Sequence, residues 1–279
     1  MYKGTVIGVD LGGTNVRCGL VEGSEITAIK GQRIRSGGTE RQVLDDIIAC
    51  IEQVIRPGVA AIGMGVPGVL NTQTGIVYDV QNIPSWKAVP VKEVLENHFQ
   101  LPVFLNNDAN CFAAGEWRYG KAQGFDDVVG LILGTGVAAG LVCNGKLYEG
   151  VNCGAGEFGM LPYLSHNYEF YCSGNYFSHF YQLTGEQLSE RALQGDAVAL
   201  QIFSEYGVHL SAVIKAVLYT MDPQVIVLGG SVSKAFPFFK DSMWQYLSDF
   251  AYQPILEHIK IVASERDHIA ILGAAALTL

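Results

Sequence analysis

Gly4-Thr-Val-Ile-Gly-Val-Asp10 reads as a buried strand, Leu11-Gly12-Gly13-Thr14 as a tight turn, and Asn15 to residue 20 as a second strand. The same order returns at Val128. An apolar run reaches Leu133, the turn Gly134-Thr135-Gly136-Val137 follows, and Gly140 to Tyr148 is broken by the hairpin signal Asn144-Gly145. After the first unit come a weaker strand at 25–34 and a helix from Glu40 to Ile55. The helix carries apolar residues at Val43, Ile47, Ile48, Ile51 and Ile55, with Thr39 as its N-cap and Pro57-Gly58 beyond its end. A strand at 59–64, a turn at Pro67-Gly68, a helix at 91–99, a strand at 102–106 and a helix at 109–119 complete the block. After the second unit the spacing predicts helices at 186–193, 197–206 and 210–221, a strand at 225–228, a helix at 235–250, a strand at 258–263 and a helix at 270–279. Nothing linker-like separates the blocks. The pattern predicts one α/β unit of two similar halves that close on a cleft.

Composition narrows the classes. The 279 residues are 49% apolar and 16% charged, too apolar and too weakly charged for a disordered chain. The net charge is −9 and no Lys/Arg cluster is long enough to bind a phosphate backbone, so nucleic acid is not the expected partner. There is no signal-peptide pattern at the N-terminus. No stretch approaches the roughly 20 continuous apolar residues of a spanning helix, so no membrane partner is expected. The mean hydropathy of +0.23 is attributed to glycine-rich buried strands. Six scattered cysteines form no C-x-x-C pair and read as reduced, packed thiols, which predicts a cytoplasmic protein.

Several glycine runs imitate nucleotide motifs. Gly63-Met-Gly65-Val-Pro-Gly68 matches the dinucleotide fingerprint but runs into Leu70-Asn71-Thr72 rather than a helix. Gly134-Thr-Gly136-Val-Ala-Ala139 continues into a strand, and Gly8-Val-Asp-Leu-Gly-Gly has the wrong spacing. Without a helix N-terminus, none can hold a pyrophosphate in the Rossmann manner. Gly140 to Leu147 nearly spells a P-loop, but Leu147 stands where a hydroxyl must bind magnesium. What survives is the pair of turns at Asp10–Asn15 and Gly134–Val137. Each alone reads first as a tight β-hairpin. Both in matching halves point to a clamp whose amides and Thr hydroxyls face phosphate oxygens. Asp10, at a strand end, is placed to hold magnesium through water. Leu228-Gly229-Gly230-Ser231 ends another strand, and its glycines leave room for a flat adenine.

Among polar candidates, Asp108 in Asn106-Asn107-Asp108-Ala-Asn110 is either a helix N-cap or a base that accepts the proton of an attacking hydroxyl. Asn107 and Asn110 offer groups to orient a polyol. Glu157, in a glycine-rich loop, is a solvated side chain unless a ligand uses it. Asn82, next to Ile83-Pro-Ser-Trp86, suits a sugar site or an ordinary loop. The six histidines are dispersed and none has metal-ligand spacing to another.

Nine short motifs, taken in order, resemble the ROK family (repressors, open reading frames, sugar kinases). They are Asp10-x-Gly-Gly-Thr-Asn15, Gly65-Val-Pro-Gly68, Asn82-Ile-Pro-Ser-Trp86, Asn107-Asp108-Ala-Asn110, Gly134-Thr-Gly136-Val, Gly156-Glu157-Phe-Gly159, Gly195-Asp196, Asp222 to Gly230, and Leu272-Gly-Ala-Ala-Ala276. The resemblance implies a two-domain, actin-like (RNase H-like) α/β fold with ATP and Mg2+ in the cleft. Its first domain would take residues 1–117 with the C-terminal helix at 267–279, and its second 118–266. By the same resemblance Asp10, Gly12, Gly13, Thr14 and Asn15, with Gly134, Thr135 and Gly136, hold phosphates, and Gly229 and Gly230 lie near adenosine. Asp108 matches the base for a sugar hydroxyl, usually the 6-OH. Gly68, Asn82, Asn107 and Glu157 match acceptor positions, and a homodimer is implied.

The departures are specific. Met160 stands where the family has a His that binds both zinc and sugar. Aligned on Gly174-Asn175, Tyr171, Ser173 and Ser178 stand at thiolate positions and Phe180 at a sugar-binding Glu. No structural zinc is therefore expected. The aromatic loop Tyr163, Tyr168, Phe170, Tyr171, Tyr176 and Phe177 either packs the domain or stacks on a sugar. The expected activity is ATP-dependent phosphorylation of a hexose or N-acetylhexosamine. The alternative is a catalytically weak sugar-binding relative acting through a partner. A repressor is disfavoured because only nine residues precede Asp10, too few for a DNA-binding module.

Overall fold

A computed structural model describes residues 4–279. The first half opens with β1 (Val6–Leu11), β2 (Asn15–Glu22) and β3 (Glu25–Arg33), followed by α1 (Glu40–Glu52) and β4 (Ile62–Val66). Three short strands, β5 (Val69–Asn71), β6 (Ile76–Tyr78) and β7 (Ala88–Pro90), make a small sheet of their own. Then come α2 (Val91–Phe99), β8 (Val103–Asn107) and α3 (Asp108–Tyr119). The main sheet has the order β3-β2-β1-β4-β8, antiparallel through the first three strands and parallel through the last three. Central β1 is buried along almost its whole length, as a strand covered on both faces must be, whereas edge strand β3 is largely exposed.

The second half repeats this plan. Its strands are β9 (Val128–Leu133), β10 (Val137–Cys143) and β11 (Lys146–Tyr148). A hairpin follows, β12 (Pro162–Tyr163) with β13 (His166–Asn167), then α4 (Tyr168–Cys172), α5 (Asn175–Tyr181), α6 (Gly185–Leu193) and α7 (Ala197–Met221). The chain ends with β14 (Val225–Gly229), α8 (Phe236–Leu247), α9 (Gln253–His258), β15 (Lys260–Ala263) and α10 (Ile269–Ala276). The sheet order β11-β10-β9-β14-β15 matches the first half strand for strand, with the same mix of directions. The duplicated order inferred from the sequence is therefore present in three dimensions.

Local signals explain most boundaries. Thr39 caps α1 in a reciprocal box with Gln42, and Asn144-Gly145 turns β10 into β11 with both residues at positive φ. Two expectations are corrected. Residues 197–206 and 210–221 form one continuous helix, α7, rather than two. Gly207 does not break it, because α8 packs so closely that a Cβ there would overlap Ser242 and Phe239. Residues 253–258 form α9, a helix in a stretch to which the pattern assigned no element, and the strand expected from 258 begins at Lys260. By length and composition α7 is also apolar enough to cross a membrane. Its Phe203, Tyr206, Leu210 and Ile214 are buried in the core of the second half.

The halves are joined by two helices. α10 lies under the first sheet, so close that a Cβ on Gly63 of β4 would overlap the Ala274 carbonyl. α3 packs on β9 and β10 of the second sheet, and α3 and α10 cross each other at Gly273, which faces the Cys111 carbonyl. A mixed core of Phe112, Val128, Val227, Ile271 and Leu272 seals this crossing. All six cysteines are free and five of them are buried, Cys143 being half-buried.

Candidate active site

Asp10 sits one residue before the end of β1, beside the turn that leads into β2. The turn is closed by the Gly12 amide donating to the Asn15 carbonyl at 2.8 Å, and Asn15 Nδ2 donates to Thr14 Oγ1 at 2.9 Å. Burial pushes the Asp10 carboxyl above its usual range, while Arg17, its cross-strand partner, and His268 pull it back. The space a side chain on Gly13 would need is filled by the Cβ and amide of Asn82. The loop polar residue and the phosphate-type turn, 69 positions apart in the sequence, are thus in contact.

Asp108 is the first residue of α3. The N-cap is its neighbour Asn107, whose Oδ1 accepts from the Ala109 amide at 2.8 Å; Asp108 Oδ1 accepts from the same amide at 2.9 Å. Capping therefore does not require Asp108. Burial pushes its pKa up to about 6, the Ala109 amide pulls it down, and the carboxylates of Asp10 and Glu157 raise it further. Asn107 is buried, and its Nδ2 donates to the Gly68 carbonyl at 3.0 Å, fixing a turn in which Gly68 has φ +88°. Asn110 is buried too and turns to Asn106 Oδ1 at 2.9 Å, so it supports the site rather than facing a polyol.

A short network links Asn106, near the end of β8, to the opposite half. Asn106 Nδ2 donates to Glu149 Oε2 at 2.9 Å, and the Cys153 thiol reaches both Glu149 Oε2 and Asn106 Oδ1 at 3.5 Å. Glu149 begins the loop that carries Glu157. Glu149→Ala leaves the buried Asn106 amide without its acceptor. The expected loss is about 1–3 kcal/mol in urea unfolding, with a smaller loss for Glu149→Gln, which keeps an acceptor oxygen. Equal losses for the two variants would show that the hydrogen bond is not the source.

The second glycine turn is similarly engaged. The Gly134 amide donates to the Gly136 carbonyl at 3.0 Å, and Asn175 Nδ2 donates to the Thr135 carbonyl at 3.1 Å. Gly136 lies against the carboxylate of Glu169, which also accepts from the Val137 amide at 3.0 Å. Glu169 was not among the sequence candidates. Burial raises the pKa of Glu157, and the Glu169 carboxylate raises it further. Gly230 has φ +84° and its missing Cβ makes way for Leu133, while Gly229 makes way for the ring of Phe112. Packing accounts for both glycines.

Two cavities meet here. One, about 530 Å3, includes Asp10, Arg17, Asp108, Gly230, Lys234 and His268. The other, about 500 Å3, includes Gly134, Thr135, Glu186, Ser231, Val232 and Lys234. Lys234 lines both. Phe180, expected where a sugar-binding Glu would stand, instead packs against Phe170, Tyr171 and Tyr176. The aromatic loop is a packed cluster, with Tyr163 stacked on Tyr168 and edge-on to Tyr171. Among the described residues no three His, Cys, Asp or Glu side chains converge to hold a metal by themselves.

The ROK family model matches residues 6–279. The chain belongs to the ROK family. Within it, a glucokinase of Thermotoga maritima is 29% identical, covering 99% of this chain and 98% of its own length. An N-acetyl-D-glucosamine kinase of Pectobacterium atrosepticum is also 29% identical, covering 98% of each chain. The ROK family glucokinase of Streptomyces griseus, solved in complex with glucose and AMPPNP, superposes with a TM-score of 0.85 at 28% identity, over 98% of this chain and 99% of that one. The fold is accordingly the two-domain, actin-like ATPase architecture of ROK kinases.

Proposed function

We propose that this ROK protein transfers the γ-phosphoryl group of ATP to a hydroxyl of a hexose or N-acetylhexosamine, most simply the 6-OH. The observation that carries the reading is Asp108, which shares the capping of α3 with Asn107 and lines one cavity with Asp10. Two of its ROK relatives are a glucokinase and an N-acetyl-D-glucosamine kinase. In this reading the sugar is held by Asn82, Asn107, Gly68 and Glu157, with Glu169 added by the geometry. Asp108 accepts the hydroxyl proton as the oxygen attacks phosphorus, and the bond to the ADP oxygen breaks. Positioning and charge neutralisation supply most of the rate, as phosphoryl transfer requires.

The triphosphate would run from the cavity of Ser231 and Lys234 across the Gly134–Gly136 turn to the turn at Gly12–Asn15. Asp10 suits Mg2+, which takes one or two carboxylates and completes its shell with water and phosphate oxygens. When bound, Mg2+ neutralises charge on the transferring group.

The test is ADP release with Mg–ATP over glucose, mannose, fructose, allose, N-acetylglucosamine and N-acetylmannosamine. Turnover on one sugar supports the reading, and no turnover on any, with sugar binding retained, would leave only a binding protein. The pH profile is a second check. A base must be ionised, so kcat/KM should fall about tenfold per pH unit below about 6, the pKa to which burial lifts Asp108, and level off above it. An acid limb with its midpoint near 4 would place the base elsewhere.

A further inference from the structure

The loop from Glu149 to Glu157 follows β11 of the second half, yet its middle is lodged in the first. Cys153 is 4% exposed and packs in the core of the first half, whose other buried members among the described residues all lie between Ile7 and Leu105. It holds φ +54° despite its Cβ, a conformation that a non-glycine residue keeps only where its surroundings fix it. Its thiol lies 3.5 Å from Asn106 Oδ1 and 3.5 Å from Glu149 Oε2. Asn106 Nδ2 donates to that same Glu149 oxygen at 2.9 Å.

The other end of the Asn106 amide meets the head of α3. Asn106 Oδ1 accepts from the Asn107 amide at 2.8 Å and from Asn110 Nδ2 at 2.9 Å. Asp108 lies between those two residues in the sequence. A side-chain amide can face either way, and its flip decides whether oxygen or NH2 meets a neighbour. A carboxylate accepts and does not donate, so Glu149 draws the NH2 to its own side and turns the oxygen toward Asn107 and Asn110. Reversed, the amide would set its NH2 against the Asn107 N–H, donor to donor. Building on the kinase reading above, we propose that Glu149 and Asn106 are positioning residues for Asp108. The docked loop of the second half fixes the Asn106 flip, and the flip fixes the segment that carries the base.

The experiment measures kcat and both KM values for ATP and the accepted sugar at about pH 8, on the plateau expected above the Asp108 pKa of about 6. Folding of each variant is checked by its melting temperature. Glu149→Ala should lower kcat about tenfold, less than the roughly 100-fold that a 1 Å misplacement can cost, with both KM values little changed. Glu149→Gln keeps an acceptor oxygen and should stay within about twofold of the parent. Asn106→Asp sets two carboxylates face to face and should lose kcat as well. Adding Glu149→Gln to it supplies an amide that donates to the new carboxylate, reversing the direction of the bond. The double variant should recover kcat about fivefold over Asn106→Asp alone, the size of a coupling within one network. This pair carries the test if Glu149→Ala fails to fold. Unchanged kcat in folded Glu149→Ala, a loss confined to the sugar KM, or a double variant no better than the product of its single changes would overturn the proposal. In those cases parent turnover that vanishes in Asp108→Asn leaves the kinase reading standing. A parent protein that turns over no sugar sinks the kinase reading, and the positioning role with it.

Discussion

Asp108→Asn is expected to lower kcat by about 1,000-fold, within the range that a positioned general base contributes, while nucleotide affinity stays close to that of the parent protein. The same substitution should make the protein more stable. In the folded chain the Asp108 pKa rises from 3.8 to about 6, so folding favours the protonated form. The sign follows from linkage. No penalty exists below pH 3.8, stability is lost as pH rises through the window from 3.8 to about 6, and the full cost persists above it. That cost is up to about 3 kcal/mol. Asn carries no charge at any pH, so the variant should unfold at higher temperature than the parent at pH 7.5, with the gap closing toward pH 4. Full turnover in Asp108→Asn would remove the base assignment. An unchanged melting temperature would mean that water screens the carboxylate more than its burial implies.

The largest effect on stability is expected from a single methyl group. Gly273 of α10 faces the backbone of α3 so closely that a Cβ would overlap the Cys111 carbonyl, and backbone cannot move aside as a flexible side chain can. Gly273→Ala should therefore cost about 3 kcal/mol or more, at the upper end of overpacking effects. Gly37→Ala is the control, because nothing lies within 4 Å of the added carbon and Gly37 has ordinary φ. It should leave stability within about 0.5 kcal/mol of the parent or raise it slightly. Urea unfolding of the two variants separates the cases, and coincident midpoints would show that the helices slide apart freely.

Much of this architecture was legible because its signals are local. The repeated strand and glycine turn around Asp10 and Gly134 specified the duplicated sheet order, and Thr39 marked a helix start within one residue. The interruption expected between residues 206 and 210 is absent, and the glycine within it, Gly207, has a role set by contact with Phe239 and Ser242 of α8, which a propensity argument does not see. The short strands β5 to β7 carry two or three apolar residues each, too few for a period of two to stand out. In the site, Asp10 and Asp108 are flanked by glycine or asparagine patterns that betray them. Glu169 has no such flank. It lies in an aromatic stretch that reads as packing, and only the approach of α4 to the start of β10 brings its carboxylate to Gly136. The Asn106–Glu149 bond was invisible for the same reason, being a contact between halves.

The crossing of α3 and α10 has a mechanical meaning. It is the axle on which one half would turn against the other, since each helix is packed on a different sheet and the two are locked at Gly273. Points on a turning body travel in proportion to their distance from the axis. Asp108, at the head of α3, is close to that line, while Asn82 and Glu157 ride on exposed loops of opposite halves. A few degrees of rotation would sweep those loops inward and leave the carboxylate nearly still. In the kinase reading, the groups proposed to hold the acceptor would then be the moving jaws of a vice, with the proposed base fixed near its pivot.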